Sequence, residues 1–171
     1  MAESANVNKG DVLLLVGTRK GGFILSSDDT RRSWSLSGPY WPGREIFHMT
    51  YDRRDGTTWA AVNSTYWGAE IQRSVDLGAT WIGSSTGPKF DEGKDLKVDR
   101  LWHIAPGRAD EPGVMYAGAE PASLIRSADG GDSWSEVEGL TDHASREQWQ
   151  PGFGGLCLHS IVLDPTDHDQ M

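Results

Sequence analysis

The feature that most constrains this chain is an octapeptide, Ser-x-Asp-x-Gly-x-(Ser/Thr)-Trp, that recurs along it. Successive copies begin at Ser27, Ser74 and Ser127, so their first serines are 47 and 53 residues apart. In the first copy, Arg31 stands where the pattern has glycine. A repeat of about 50 residues is typical of architectures in which each unit is one supersecondary structure. The positions that match the pattern are Ser74, Asp76, Gly78, Thr80 and Trp81, then Ser127, Asp129, Gly131, Ser133 and Trp134, and in the degenerate copy Asp29 and Trp34.

A second landmark, an apolar residue followed by histidine, has the same period. It occurs as Phe47-His48, Trp102-His103 and Leu158-His159, with spacings of 55 and 56 residues. Between the landmarks, short runs rich in β-branched and aromatic residues are bounded by glycine and polar turn residues, which indicates strands. Each unit therefore reads as four short antiparallel strands, and the chain as all-β.

The residue types of the octapeptide suit a tight turn between the third and fourth strands. An aspartate can accept hydrogen bonds from backbone N–H groups just after it, and glycine adopts a positive φ at little cost. The tryptophan that follows has a large apolar surface to bury against the sheet. We therefore expect Asp29, Asp76 and Asp129 to organise turns and Trp34, Trp81 and Trp134 to pack on the sheets.

The octapeptide resembles the Asp box, also called the bacterial neuraminidase repeat, of sialidase-like β-propellers. The resemblance runs from about Val12 to the end of the chain and implies a β-propeller of four-stranded antiparallel blades with Asp-box turns. In that family the box lies on the face opposite the ligand site, so its residues would be structural here. The resemblance extends to uncharacterised glycosyl hydrolase-like repeat proteins.

The number of repeats predicts an incomplete propeller of about three blades and the first strand of a fourth. Residues 1–11 read as a polar N-terminal tail and residues 12–171 as the partial propeller. Because propellers are closed rings, we expect a natural chain longer than this one, or two copies that complete one ring. Open blade edges would also favour self-association. The expected blades are about 12–37, lacking its inner strand, about 44–83, about 99–137, and the start of a fourth at about 156–171, with Leu156–Leu163 as its inner strand.

Charge and composition exclude several classes of partner. The 171 residues carry a formal net charge of −9, which disfavours nucleic acid and anionic membranes. Scattered basic pairs such as Arg53-Arg54 are expected to be solvated turn residues. The longest apolar run, Val12–Val16, is too short to span a membrane, and the first 11 residues lack a secretory signal. With Cys157 as its only cysteine, the chain is expected to be cytoplasmic.

The three landmark histidines form the sharpest candidate site. Propeller symmetry would place His48, His103 and His159 around the central channel, where imidazoles could ligate a metal or move protons. Equivalent atoms of successive blades are normally too far apart for one ion, so the alternative is hydrogen bonding to a neighbouring blade or to channel water. We expect no metal and no cofactor. We call the face opposite the octapeptide turns the upper face. Further ligand-binding candidates lie on connections at this face, and they are Arg19, Trp67, Trp149 and Gln150.

These residues support two hypotheses about function. The first is a binding or assembly scaffold that takes a carbohydrate or protein ligand on the upper face, near the central channel. The alternative is a glycoside hydrolase-like enzyme, with Glu45, Glu120 and Tyr66 as catalytic candidates, since glycosidases use paired carboxyl groups or a tyrosine nucleophile. The Arg-Ile-Pro motif of sialidases is absent, which argues against sialidase activity.

Overall fold

The computed structural model of the protein describes residues 7–8, 10–152 and 155–171. The predicted N-terminal tail, 1–11, falls mostly outside them. The described residues form three antiparallel sheets and almost no helix, so the chain is all-β and propeller-like. Sheet 1 contains β1 (Val12–Thr18), β2 (Gly21–Ser27) and β3 (Ser35–Tyr40); sheet 2 contains β4 (Glu45–Tyr51), β5 (Thr58–Ser64), β6 (Gly68–Ser74) and β7 (Ile82–Gly83); sheet 3 contains β8 (Arg100–Pro106), β9 (Met115–Glu120), β10 (Ser123–Ser127) and β11 (Ser135–Glu136). A short helix, α1 (Glu138–Thr141), and a 3-10 turn, Arg146–Gln148, follow.

The three sheets share one strand register, which makes residues of different sheets comparable. The first serine of each octapeptide ends a strand and lies opposite Val12 in sheet 1, Thr58 in sheet 2 and Met115 in sheet 3. The strands β1, β5 and β9 are therefore equivalent. The inner strands β4 and β8 pair with β5 and β9, whereas β1 has no inner partner among the described residues.

Two apolar clusters join the sheets face to face. Ile24 and Tyr40 of sheet 1 pack with Ile46, Ala60 and Val62 of sheet 2. The opposite face of sheet 2 packs on sheet 3 through a second cluster of buried residues. Successive side chains of a strand point to opposite faces, so both faces of sheet 2 are buried between its neighbours. The second cluster includes Trp59, Ala61, Ile71, Leu101, Ile104, Met115, Ala117, Ala119, Ile125 and Trp134.

Polar contacts supplement this packing. The fully buried amide of Asn63 accepts a hydrogen bond from the Leu101 N–H at 2.7 Å and donates one to the Leu101 carbonyl at 2.9 Å. One side chain of sheet 2 thus satisfies both backbone groups of a residue in sheet 3. Because a buried backbone group without a partner is costly, this amide contributes to the alignment of the two sheets.

Arg54 is a partner of backbone carbonyls, contrary to the expectation that it is a solvated turn residue. Its guanidinium pairs with the buried Asp52 carboxylate at 2.7 Å and donates to the carbonyls of Glu111 at 2.7 Å and Val114 at 2.9 Å. Arg108 repeats the contact one unit later and donates to carbonyls at 164, 167 and 170. Each arginine thus links its own unit, through hydrogen bonds, to a turn of the following unit.

The two complete octapeptides form similar turns. The Ser74 hydroxyl donates to the Asp76 carboxylate at 2.7 Å and accepts from the Gly78 N–H at 2.8 Å, and the Thr80 N–H and hydroxyl both donate to Asp76. The Thr80 hydroxyl, followed by the other donors, lowers the pKa of Asp76 to about 2. Ser127, Asp129, Gly131 and Ser133 make the same contacts in sheet 3.

The first octapeptide departs from this arrangement, and two expectations about it are wrong. Its turn carboxylate is Asp28 rather than Asp29, because Asp28 accepts both hydrogen bonds of Thr30. The complete turns have two successive residues of positive φ, whereas Arg31 stands alone here with φ 55°, so the chain cannot follow the same path. Trp34 is 37% exposed and belongs to none of the apolar clusters of the described residues, whereas Trp134 is 2% exposed and lies in the cluster between sheets 2 and 3.

The segment Leu156–Leu163, expected to be an inner strand, forms no strand in the described part of the chain. Its Leu158 N–H donates to the Ala119 carbonyl at 3.0 Å, and the Leu156 carbonyl accepts from the Ala122 N–H at 2.8 Å. A strand requires a ladder of hydrogen bonds to a neighbouring strand, and no described strand pairs with this segment in that way. The described sheets accordingly do not close into a ring.

Candidate functional site

A groove opens at the end of the sheets where β4 and β8 begin. One wall is the turn between β5 and β6, and the other is the connection from β7 to β8. Its volume is about 550 Å³, which is within the usual range of ligand pockets. It lies on the side away from the octapeptide turns. The lining residues are Glu45, Asn63, Ser64, Thr65, Tyr66, Trp67, Gly68, Ala69, Pro88, Lys89, Phe90, Leu96, Lys97, Val98, Asp99 and Arg100.

Two exposed aromatic side chains form the rim of this groove. Tyr66 is 81% exposed and Trp67 67% exposed, and their rings meet edge to face with centroids 4.6 Å apart. The turn that carries them is closed by the Ser64 hydroxyl, which accepts from both of their N–H groups at 3.2 and 3.1 Å. The turn thus presents two large apolar rings to solvent on a hydrogen-bonded base.

A network of ion pairs lies at the start of the inner strands and meets the groove at Glu45 and Arg100. Glu45 pairs with Arg19 at 3.5 Å and with Arg100 at 3.9 Å. Arg100 also pairs with Glu120 at 3.3 Å, and Glu120 accepts a hydrogen bond from the Trp102 indole N–H at 3.0 Å. Two predicted catalytic carboxylates therefore share one guanidinium. The same arginine holds them near each other and occupies an oxygen of each.

The landmark histidines form a column on the inner edges of the sheets, outside the lining of the groove. The His48 and His103 rings stack with centroids 4.1 Å apart, and His48 Nδ1 accepts a hydrogen bond from the Ile104 N–H at 3.2 Å. Burial lowers the pKa of His48 to about 4, assisted by the proximity of His103. Burial, and then His159, lowers the pKa of His103. His48 is therefore a neutral acceptor that joins sheet 2 to sheet 3.

A local bulge in each inner strand creates this column. The pairing of β4 with β5 shifts between Ile46 and His48, and that of β8 with β9 shifts between Leu101 and His103. The residues at the shifts, Phe47 and Trp102, have ring centroids 4.6 Å apart. Among the described residues, no group of three or more His, Cys, Asp or Glu side chains is placed to hold a metal ion.

Two of the ligand-binding candidates lie elsewhere, outside the groove lining. Trp149 follows the 3-10 turn, donates its indole N–H to the Ser145 hydroxyl at 2.8 Å and stacks on His143. Arg146 lies 5.4 Å from the Trp149 ring centroid. Gln150 is exposed beside them. The structure therefore brings together Glu45, Tyr66, Trp67 and, through ion pairs, Arg19 and Glu120, but not Trp149 or Gln150.

The fold is similar to that of a solved enzyme. The crystal structure of the GH74 xyloglucanase from Xanthomonas campestris superposes with a TM-score of 0.60 at 18% sequence identity, over 95% of this chain and 24% of that one. The chain thus spans about a quarter of that structure, and at this identity the likeness is one of fold. No family model and no curated protein sequence matches the chain. In the described residues, no helix has the length and apolar character needed to cross a membrane.

Sequence reasoning missed most of the second wall of the groove. Lys89, Lys97 and Asp99 line it from the β7–β8 connection, and Phe90 is buried beneath. Residues 83–98 are long and irregular in sequence, which is typical of a binding loop, but the sequence does not show which of their side chains face the groove. That selection depends on anchors such as Lys94, which pairs with Glu136 at 3.0 Å and Asp142 at 2.9 Å in the next unit.

Proposed function

We propose that this chain is a carbohydrate-binding scaffold whose ligand lies in the groove walled by Tyr66 and Trp67. The exposed aromatic pair at the rim carries the proposal. Pyranose rings have apolar C–H faces that pack on aromatic rings, and exposed apolar surface next to polar groups is typical of a ligand site. The resemblance to a glycoside hydrolase fold agrees with a carbohydrate ligand.

The polar lining supports the same proposal. Carboxylates and cations converge on the groove from Glu45, Lys89, Lys97 and Asp99. Sugar hydroxyl groups both donate and accept hydrogen bonds, so a mixed lining of this kind suits them, whereas an apolar ligand would leave these groups unpaired.

Calorimetric titration with a xyloglucan oligosaccharide and a cello-oligosaccharide tests the proposal. Trp67→Ala should weaken binding at least about tenfold, which corresponds to the loss of about 1.4 kcal/mol from one stacking contact. Trp34→Ala is the matched control, because Trp34 is also partly exposed but lies in the first octapeptide, away from the groove. Equal affinity of the two variants, or no heat with either sugar, would contradict the proposal.

A glycoside hydrolase-like activity is the second candidate function, and the pairing of Glu45 and Glu120 through Arg100 is the observation that favours it. Glycosidases place two carboxyl groups on either side of the scissile bond. Release of reducing ends from the bound oligosaccharide, lost in both Glu45→Gln and Glu120→Gln, would show catalysis. Binding without release would support the scaffold.

A further inference from the structure

Sheet 1 has an apolar face that its equivalents in the other sheets do not leave open. Leu14, Leu25 and Leu36 lie opposite one another across β1, β2 and β3. Leu14 is 47% exposed, Val16 37% and Leu36 64%. Leu13 and Leu15, which alternate with them, point the other way and pack against sheet 2.

The repeat shows what normally covers such a face. By the shared register, Leu14 and Val16 correspond to Ala60 and Val62 in sheet 2 and to Ala117 and Ala119 in sheet 3. All four of these equivalents are 0% exposed. In sheets 2 and 3 the preceding sheet packs on these positions. The face of sheet 1 is therefore built to receive another sheet of the same kind.

Residues 157–163 form an apolar segment that complements the exposed face of sheet 1. Leu158, Ile161 and Leu163 pack on Val114, Tyr116 and Leu124, the face of sheet 3 that points away from sheet 2. They thus occupy the place of an inner strand, and among the described residues no second strand pairs with them. β1 is equivalent to a second strand, and no inner strand pairs with it in the described part of the chain.

We propose that residues 157–163 of a second copy of this chain pair with the edge of β1 that has no partner among the described residues, so that two copies form a reciprocal dimer. The pairing satisfies the open backbone groups of both elements. It also covers Leu14 and Val16 of one copy with sheet 3 of the other copy, on the face that points away from sheet 2. Because each copy offers one β1 and one 157–163 segment, a two-fold arrangement uses both and closes the assembly.

The inner-strand register predicts which residues meet. The residue two before the landmark histidine lies opposite Val62 in sheet 2 and opposite Ala119 in sheet 3. Its counterpart in the third landmark is Cys157, and the counterpart of Val62 in β1 is Val16. Directly opposite residues of antiparallel strands have Cα atoms about 4.5–5.5 Å apart, which a disulfide can bridge. Val16→Cys should therefore crosslink to Cys157 of a second copy.

Light scattering and a crosslinking assay test this proposal on the full chain. The unmodified chain should have twice the mass of the 18.7 kDa monomer, and Val16→Lys should be monomeric while keeping its circular dichroism spectrum. Val75→Lys is the matched control, since Val75 is 75% exposed on an octapeptide turn, and it should remain dimeric. In a glutathione redox buffer, Val16→Cys should form a covalent dimer that Cys157→Ser abolishes, whereas Val75→Cys should not.

Any of three results would overturn the proposal. These are a monomeric mass at all concentrations, a dimer that survives Val16→Lys, and equal crosslinking of Val16→Cys and Val75→Cys. The proposal is independent of the carbohydrate site, because β1 lies outside the groove lining. Sugar binding therefore neither supports nor weakens it.

Discussion

Replacement of Arg54 by methionine should destabilise the protein by about 3 kcal/mol, because removing one partner of a buried ion pair costs about 3–5 kcal/mol. The Asp52 side chain is 2% exposed and the Arg54 side chain 18% exposed, so the carboxylate left behind is buried and the lower end of the range applies. Methionine fills a similar length without charge. The loss of the bonds to sheet 3 adds less, because the Val114 carbonyl keeps its hydrogen bond from the Gly107 N–H.

Urea unfolding followed by circular dichroism measures this loss. Arg53→Met is the matched control, since Arg53 is exposed on the same turn, and surface substitutions of this kind usually change stability by less than about 0.5 kcal/mol. Adding Asp52→Asn to Arg54→Met should recover part of the loss because it removes the unpaired buried charge. If Arg54→Met unfolds at the same urea concentration as Arg53→Met, the reasoning is wrong.

Three further predictions concern single side chains. Folding lowers the pKa of His48 from 6.5 to about 4, so as the pH falls the unfolded chain binds a proton at a higher pH than the folded chain does. Stability should therefore fall as the pH drops from about 6.5 to 4. His48→Gln should flatten this part of the plot of urea midpoint against pH. Asn63→Asp puts a carboxylate oxygen against the Leu101 carbonyl and should cost at least about 2 kcal/mol in urea unfolding, whereas the exposed Gln150→Glu should cost almost nothing. The Ser133 hydroxyl, followed by its backbone N–H, lowers the pKa of Asp129, so Ser133→Ala should raise that pKa in a carbon-13 NMR titration; an unchanged value would mean that the turn is held differently.

The regularity of the units is visible in the sequence because it is local. Strand periodicity, the turn chemistry of Ser74 and Ser127, and the landmark histidines all depend on residues close together in the chain. The structure places similar turns at Ser74 and Ser127 and similar strands around His48 and His103. The same local reasoning failed where a copy is degenerate, since the pattern cannot show that Asp28 replaces Asp29 or that Trp34 stays exposed.

For the same reason, the sequence predicted only one of the two walls of the groove. The turn carrying Tyr66 and Trp67 is short and bounded by its own hydrogen bonds, so its position above the sheet follows from the strands beside it. The opposite wall is a long connection whose conformation depends on Lys94 and its acidic partners in the next unit, Glu136 of β11 and Asp142 after α1. Which residues of that wall meet Glu45 is settled by contacts between units, and these have no signature in the chain.

The sequence by itself determined an all-β chain of repeated units and the residues that turn each unit, because those features arise from short-range hydrogen bonding and from alternation along strands. Only the tertiary structure decided how the units meet. It showed that Arg54 and Asn63 join neighbouring sheets, that Glu45 and Glu120 share Arg100, and that residues 156–163 form no strand. These outcomes depend on desolvation and pairing between residues far apart in the chain, where a side chain's environment is set by a neighbouring unit rather than by its own.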